Sequence, residues 1–264
     1  MSLTSQDAEI HYQILGDGPD VVLLHPFPTN HRFWLGVADR LASRYRLIAY
    51  DLRGHGDSTP GSGPATMEKH AADLARLCDV VKVSRAIFAG VSIGGYVLFE
   101  FWRRHSERLA ALVLSDTRAT PDTAEGRAAR LKSAEDVQQN GPVVFLESMV
   151  PKLLGQHTRE NRSDVVEGAR KMMSKMTAAG IVALQQGMAE RPDSVLTLAT
   201  IDVPTLVLEG AEDTLTPLAD AKLMHQQIPG SRLEVIPRAG HFAVFEQRNA
   251  AGKAIRGFLD ERKL

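Results

Sequence analysis

The stretch Gly90-Val91-Ser92-Ile93-Gly94 sets a hydroxyl between glycines, where one short apolar run ends and another begins. A serine hydroxyl is a poor nucleophile at neutral pH. It becomes an effective one when a base lies within hydrogen-bond reach and an acid orients that base. The chemistry on offer is attack on an acyl carbonyl. Gly-x-Ser-x-Gly also occurs in ordinary loops, and any sharp turn favours small residues, so context decides. Here "RAIFAGV" (85–91) reads as a strand and "YVLFEFWRRH" (96–105) as a helix. In so tight a strand-to-helix turn, side chains two before and two after the serine collide with backbone, and glycine removes the Cβ. The serine is then held in a strained conformation with its hydroxyl above the sheet, and the helix behind it aims N–H groups at an arriving oxygen.

The chain has nine histidines. His241, in "IPRAGHFAVFEQ", falls in a loop after the last expected strand and before a C-terminal helix, the place for a base. The bland alternative is a loop histidine capping that helix. The acid is expected to be Asp213 in "GAEDTLTP", after the strand "PTLVLEG". An aspartate there is also an ordinary turn or N-cap residue. Glu209 and Glu212 lie close by, on the strand end and in mid-turn. Asp116, at the end of the preceding strand, is the rival, and position favours Asp213. All three chosen residues sit at C-terminal strand ends, where open α/β sheets bind ligands.

The elements that must position them follow from periodicity. Strands are expected at "AEIHYQIL" (8–15), Asp20–His25, Tyr45–Leu52, Arg85–Val91, Leu109–Asp116, Pro204–Gly210 and Arg232–Pro237. The central ones are continuously apolar, as in a parallel sheet buried on both faces. Leu74, Leu77, Cys78 and Val81 mark one face of a helix between strands. Thr216-Pro217 reads as an N-cap with proline at the first helical position, and Pro229-Gly230 as the stop of the same helix. The fold class is therefore α/β, a mostly parallel central sheet flanked by helices. From about 119 to 200 no strand pattern appears; Val165, Val166, Ala169, Met172, Met173 and Met176 share a helical face, and Ile181, Leu184 and Met188 another. This is too long for one crossover. It is expected to be an inserted helical cap at 119–200, with the core formed by 1–118 and 201–264.

Composition narrows the class. The chain has 264 residues, 44% of them hydrophobic and 24% charged, and a net charge of −1. These are values of a globular protein, with no basic excess for nucleic acid. No apolar run approaches a bilayer span and no leader pattern opens the chain, so a cytoplasmic protein without membrane association is expected. One cysteine, Cys78, cannot form an internal disulfide and reads as core. There is no H-E-x-x-H, no cysteine pair and no G-x-G-x-x-G after a strand, so neither a metal nor a cofactor is expected.

The order Ser92…Asp213…His241 is that of α/β hydrolases. With "VVLLHPFPTNHRFW", "YDLRGHGDS", "GVSIGG", "PTLVLEGAEDTLTP" and "AGHFAVFEQ", the chain resembles an α/β-hydrolase of the small carboxylesterase type. Non-haem haloperoxidase/perhydrolases, 3-oxoadipate enol-lactonases and C–C bond hydrolases are similar. The resemblance implies a small-molecule ester as substrate, an acyl-enzyme on Ser92, and an oxyanion hole formed by the N–H groups of Ile93 and Phe27. It also leaves perhydrolysis, enol-lactone opening, C–C cleavage and a non-catalytic receptor as alternatives. The chain departs from the usual His-Gly of the oxyanion loop with His25-Pro26. Proline has no N–H, but the Phe27 amide remains. His25 and His55 are expected to hold loops, Arg103 and Arg104 to lie on a solvated helix face, and the cap methionines to pack. Ser92 argues against the aspartate nucleophile of some enzymes of this fold, and the H-G-G-P-G of proline iminopeptidases is missing.

Overall fold

The computed structural model describes residues 1–261. Eight strands form one sheet: β1 (Ser2–Ser5), β2 (Ala8–Leu15), β3 (Asp20–Leu24), β4 (Arg46–Tyr50), β5 (Ala86–Val91), β6 (Leu109–Ser115), β7 (Thr205–Gly210) and β8 (Arg232–Ile236). Their spatial order is β1-β2-β4-β3-β5-β6-β7-β8. The β1–β2 and β2–β4 pairs are antiparallel and every later pair is parallel. The apolar runs do become the inner strands: β5 and β7 are buried at every position. Burial on both faces is what parallel strands covered by crossover helices require. Strand β1 escaped the sequence reading; at four residues, with alternating burial, its pattern is too short to stand out.

Helices α1 (Leu35–Leu41), α2 (Met67–Val80) and α3 (Ile93–His105) follow β3, β4 and β5. Six more, α4 (Ala124–Asn140), α5 (Val143–Leu153), α6 (Gln156–Asn161), α7 (Ser163–Met173), α8 (Ala178–Ala189) and α9 (Val195–Leu198), lie between β6 and β7, with no strand among them. Helix α10 (Leu218–Gln227) joins β7 to β8, and α11 (Ala243–Glu246) and α12 (Arg248–Glu261) complete the described chain. Helices α2 and α3 pack on each other, as do α1 and α12, and α4 packs along α8. No helix of the described residues is long and apolar enough to cross a membrane.

Two local expectations are corrected. Thr216 does not cap α10: Pro217 is the N-cap and the helix starts at Leu218, because the Thr216 hydroxyl is bonded elsewhere. Arg103 and Arg104 lie exposed on α3, as expected, and are also engaged by neighbours. Both pair with the buried Glu100, and Arg103 also donates to Ser194 and Thr197 beside α9. Helix α3 begins at Ile93, directly after the serine, rather than at Tyr96.

Candidate active site

Ser92 sits between β5 and α3 with φ 54° and ψ −114°, in a region where a residue with a Cβ is strained. Its backbone is fixed from both sides: its N–H donates to Ser115 O at 3.0 Å, and its carbonyl accepts from the Thr117 hydroxyl at 2.8 Å. The flanking glycines are steric necessities. A Cβ on Gly90 would lie 2.6 Å from the Gly94 carbonyl carbon, and one on Gly94 would lie 2.7 Å from Leu24 O. Gly95, just outside the motif, has the same role, since a Cβ there would overlap the Thr117 side chain.

His241 follows β8 and Asp213 follows β7. His241 Nδ1 and Asp213 Oδ2 are 2.7 Å apart. Asp213 is saturated with donors: its Oδ1 accepts from the N–H groups of Leu215 (2.7 Å) and Thr216 (3.1 Å), and its Oδ2 from the Thr216 hydroxyl (2.6 Å). Burial pushes this carboxyl up, but the His241 charge, its hydrogen bond and the Thr216 donors prevail and hold it below its ordinary value. Asp116, the rival, points elsewhere. Its Oδ1 accepts from Gly210 N–H at 2.8 Å and its Oδ2 is bonded to the Ser115 hydroxyl at 2.6 Å. Burial, then the Asp213 charge, drives its carboxyl well above its ordinary value.

Glu209 completes a buried trio: carboxylate oxygens of Asp116, Glu209 and Asp213 lie within 4.8 Å of one another. Glu209 is fully buried and its side-chain oxygens have no hydrogen-bond partner among the described residues. Burial and the two neighbouring acids push it far above the carboxylate range. Asp213 and Asp116 have spent their oxygens on N–H and O–H donors. Of the three carboxyls, Asp213, beside His241, is the one held below its ordinary value.

Ser92, Thr216, His241 and Phe27 line a single cavity of about 100 Å³, to which Met149 and Leu153 of α5 also contribute. Among the described residues no hydrogen bond joins Ser92 to His241; in free enzymes such bonds often tighten only with substrate. Among the described residues, the Phe27 and Ile93 amides donate in none of the backbone hydrogen bonds outside the regular helices and strands. A larger cleft, about 820 Å³ beside Trp102 and Leu196, contains none of these residues.

Two histidines support the Phe27 loop. His25 Nε2 accepts from Leu52 N–H at 3.0 Å and its Nδ1 donates to Pro26 O at 3.0 Å, and burial lowers it to about 4. His55 packs edge-on against His25 and Phe27. Glu246 was missed in the sequence. Its two oxygens accept from Gly240 N–H (2.8 Å) and Gly155 N–H (2.9 Å), tying the His241 loop to the start of α6. A glutamate one turn into a helix carries no sign in sequence that distinguishes it from a solvated one.

Residues 19–247 match the family described as alpha/beta hydrolase fold. The chain belongs to this family. This α/β hydrolase is 38% identical, with a TM-score of 0.95, to a thermophilic esterase from Thermogutta terrifontis solved with malate bound, the match covering 99% of this chain and 98% of that one. The enol-lactonase from Burkholderia xenovorans LB400 is 26% identical, with a TM-score of 0.92 and coverage of 98% and 100%. By sequence, the α/β hydrolase is 27% identical to 3-oxoadipate enol-lactonase 2 of Acinetobacter baylyi (98% and 96% covered). It is 28% identical to pimeloyl-[acyl-carrier protein] methyl ester esterase of Neisseria meningitidis (91% and 93% covered). An enzyme of the hydrolase class is what these relatives support.

Proposed function

We propose that the enzyme is a serine hydrolase of carboxylic esters, acting through Ser92, His241 and Asp213. The observation that carries this reading is the convergence of Ser92 and the His241–Asp213 pair on one cavity. Asp213 fixes the proton on His241 Nδ1, which leaves Nε2 as the base. The Ser92 hydroxyl attacks the acyl carbonyl as Nε2 takes its proton. The negative oxygen of the tetrahedral intermediate accepts from the Ile93 and Phe27 N–H groups, an effect worth roughly 10²–10³ in rate per donor in comparable sites. Collapse expels the alcohol, protonated by His241. Water then attacks the acyl-enzyme with His241 again as base, and the acid departs. No step calls on a metal or an organic cofactor. Residues 119–200 act as a cap that shapes the substrate space, with Met149 and Leu153 contributed to the cavity wall.

Enol-lactone opening is a second reading, favoured by the enol-lactonases among both sequence and structural relatives. A lactone is an internal ester, so the steps are the same and the leaving enol stays tethered to the acid. Pre-steady-state hydrolysis of p-nitrophenyl acetate tests the shared mechanism. A burst of p-nitrophenol equal to the enzyme concentration, abolished in Ser92→Ala, is expected. Turnover that persists in Ser92→Ala contradicts it, and no turnover with any ester or lactone supports a receptor instead.

A further inference from the structure

Three guanidinium groups meet on one carboxylate beside the cavity. Arg118 Nη2 donates to Asp122 Oδ1 at 3.0 Å, Arg130 Nε donates to Oδ2 at 2.5 Å, and Arg191 Nη1 lies 2.7 Å from the same Oδ2. The Asp122 side chain is only 4% exposed, so these charges are poorly screened by water. Asp220 is the further carboxylate felt by Arg118 and Arg191. The cluster therefore keeps a positive excess.

The three arginines are not equivalent. Arg191 is committed to structure: it lies 4.4 Å over the Tyr96 ring and donates to Thr120 O at 2.9 Å. Arg118 and Arg130 line the cavity that holds Ser92 and His241. Arg118 Nε is buried and has no hydrogen-bond partner among the described residues. A buried donor on a charged group left without a partner is costly, and a guanidinium edge is shaped to take a carboxylate.

We propose that Arg118, with Arg130 beside it, recognises a carboxylate on the substrate, so that the preferred esters are half-esters of short dicarboxylic acids. This rests on the Ser92 hydrolase reading and adds the substrate class to it. The chain between the two carboxyl groups is short because the cavity, at about 100 Å³, is smaller than the roughly 150 Å³ that admits a benzene ring. If the cluster merely pinned α4 and the α8 end to the core, substrate charge would not matter.

The test compares monomethyl succinate with methyl succinamate, in which a carboxamide replaces the carboxylate at nearly the same shape. Wild-type enzyme is expected to favour the anion at least tenfold in kcat/KM, mainly through KM. Arg118→Met is expected to lower that ratio at least tenfold, and Arg118→Lys to keep part of it. Lys132→Gln, which removes an exposed charge from the same helix as Arg130, is expected to leave the ratio at its wild-type value. A wild-type ratio near one, or a ratio that Arg118→Met does not move, overturns the proposal. A second arm needs no turnover: calorimetry of succinate with Ser92→Ala is expected to show saturable binding that Arg118→Met removes. Folding is checked by thermal melts, and should Arg118→Met not fold, the wild-type ratio and succinate binding decide. No turnover of either ester with succinate binding intact defeats the hydrolase reading alone. Turnover of the neutral ester without succinate binding defeats the carboxylate site alone.

Discussion

The Thr216 hydroxyl donates to Asp213 Oδ2 at 2.6 Å while lying 3.2 Å from His241 Nδ1. It therefore fills the corner between acid and base and leaves Oδ2 facing the imidazole. Thr216→Val keeps the shape and removes the donor. A hydrogen bond to a charged group is worth about 1.5–3 kcal/mol, so kcat/KM is expected to fall roughly tenfold or more. Thr216→Ser should recover most of it. Steady-state kinetics on a short-chain ester, beside an unchanged circular dichroism spectrum, check both.

The two aspartates near His241 are expected to respond in opposite ways to the same change. Asp213 is ionised and bonded to the imidazole, so Asp213→Asn disturbs the tautomer and should cost roughly 10⁴ in kcat. Asp116, whose carboxyl is pushed up by burial, bonds Gly210 and Ser115 rather than His241, and an asparagine amide can hold both. Its φ of 45° is one that asparagine tolerates. Asp116→Asn should therefore change kcat less than about threefold, far below the roughly 10⁴ expected at Asp213. Equal losses would contradict the assignment of the acid.

Glu209 makes stability depend on pH in a direction opposite to most carboxylates. Its pKa in the fold is far above its ordinary value of 4.5. Its contribution to stability is therefore fully present below about pH 4.5 and is lost as pH rises towards the folded value. Glu209→Gln keeps the neutral shape without the proton. Against wild type, the variant should melt at nearly the same temperature at pH 4.5 and several degrees higher at pH 8, the gap reflecting a few kcal/mol. A gap independent of pH would mean that Glu209 is ionised in the fold.

The turn at Ser92 is expected to accept no methyl group. Gly94→Ala puts a Cβ against the Leu24 carbonyl, which belongs to β3 and cannot swing aside. Overpacking of this kind costs about 1–3 kcal/mol, and the strand shift it forces should lower kcat as well. Chemical denaturation together with burst amplitude measures the two effects in one sample.

Much of this was legible in the sequence because it is local. Gly90, Ser92 and Gly94, set between a strand pattern and a helix pattern, announce the turn, and the exclusion between Gly90 and Gly94 acts within five residues. The inner strands show as apolar runs because both of their faces are covered. What escaped depends on neighbours that only folding brings together. Thr216 before Pro217 gives the same signal as an N-cap, and only the arrival of Asp213 and His241 reveals its other bond. Glu209 looks like any strand-end acid until Asp116 and Asp213 stand beside it. Arg118 and Arg130 are separated by helix-start residues and converge only through Asp122.

The central claim is that Ser92 carries the acyl group. The most direct measurement is mass spectrometry of enzyme quenched with acid during turnover of p-nitrophenyl acetate, followed by peptide mapping. The account predicts one acetyl group per chain on the peptide containing Ser92, accumulating further in His241→Gln if acylation still proceeds, and absent from Ser92→Ala. An acetyl group on another residue, or turnover with no acylated protein at any quench time, would contradict it.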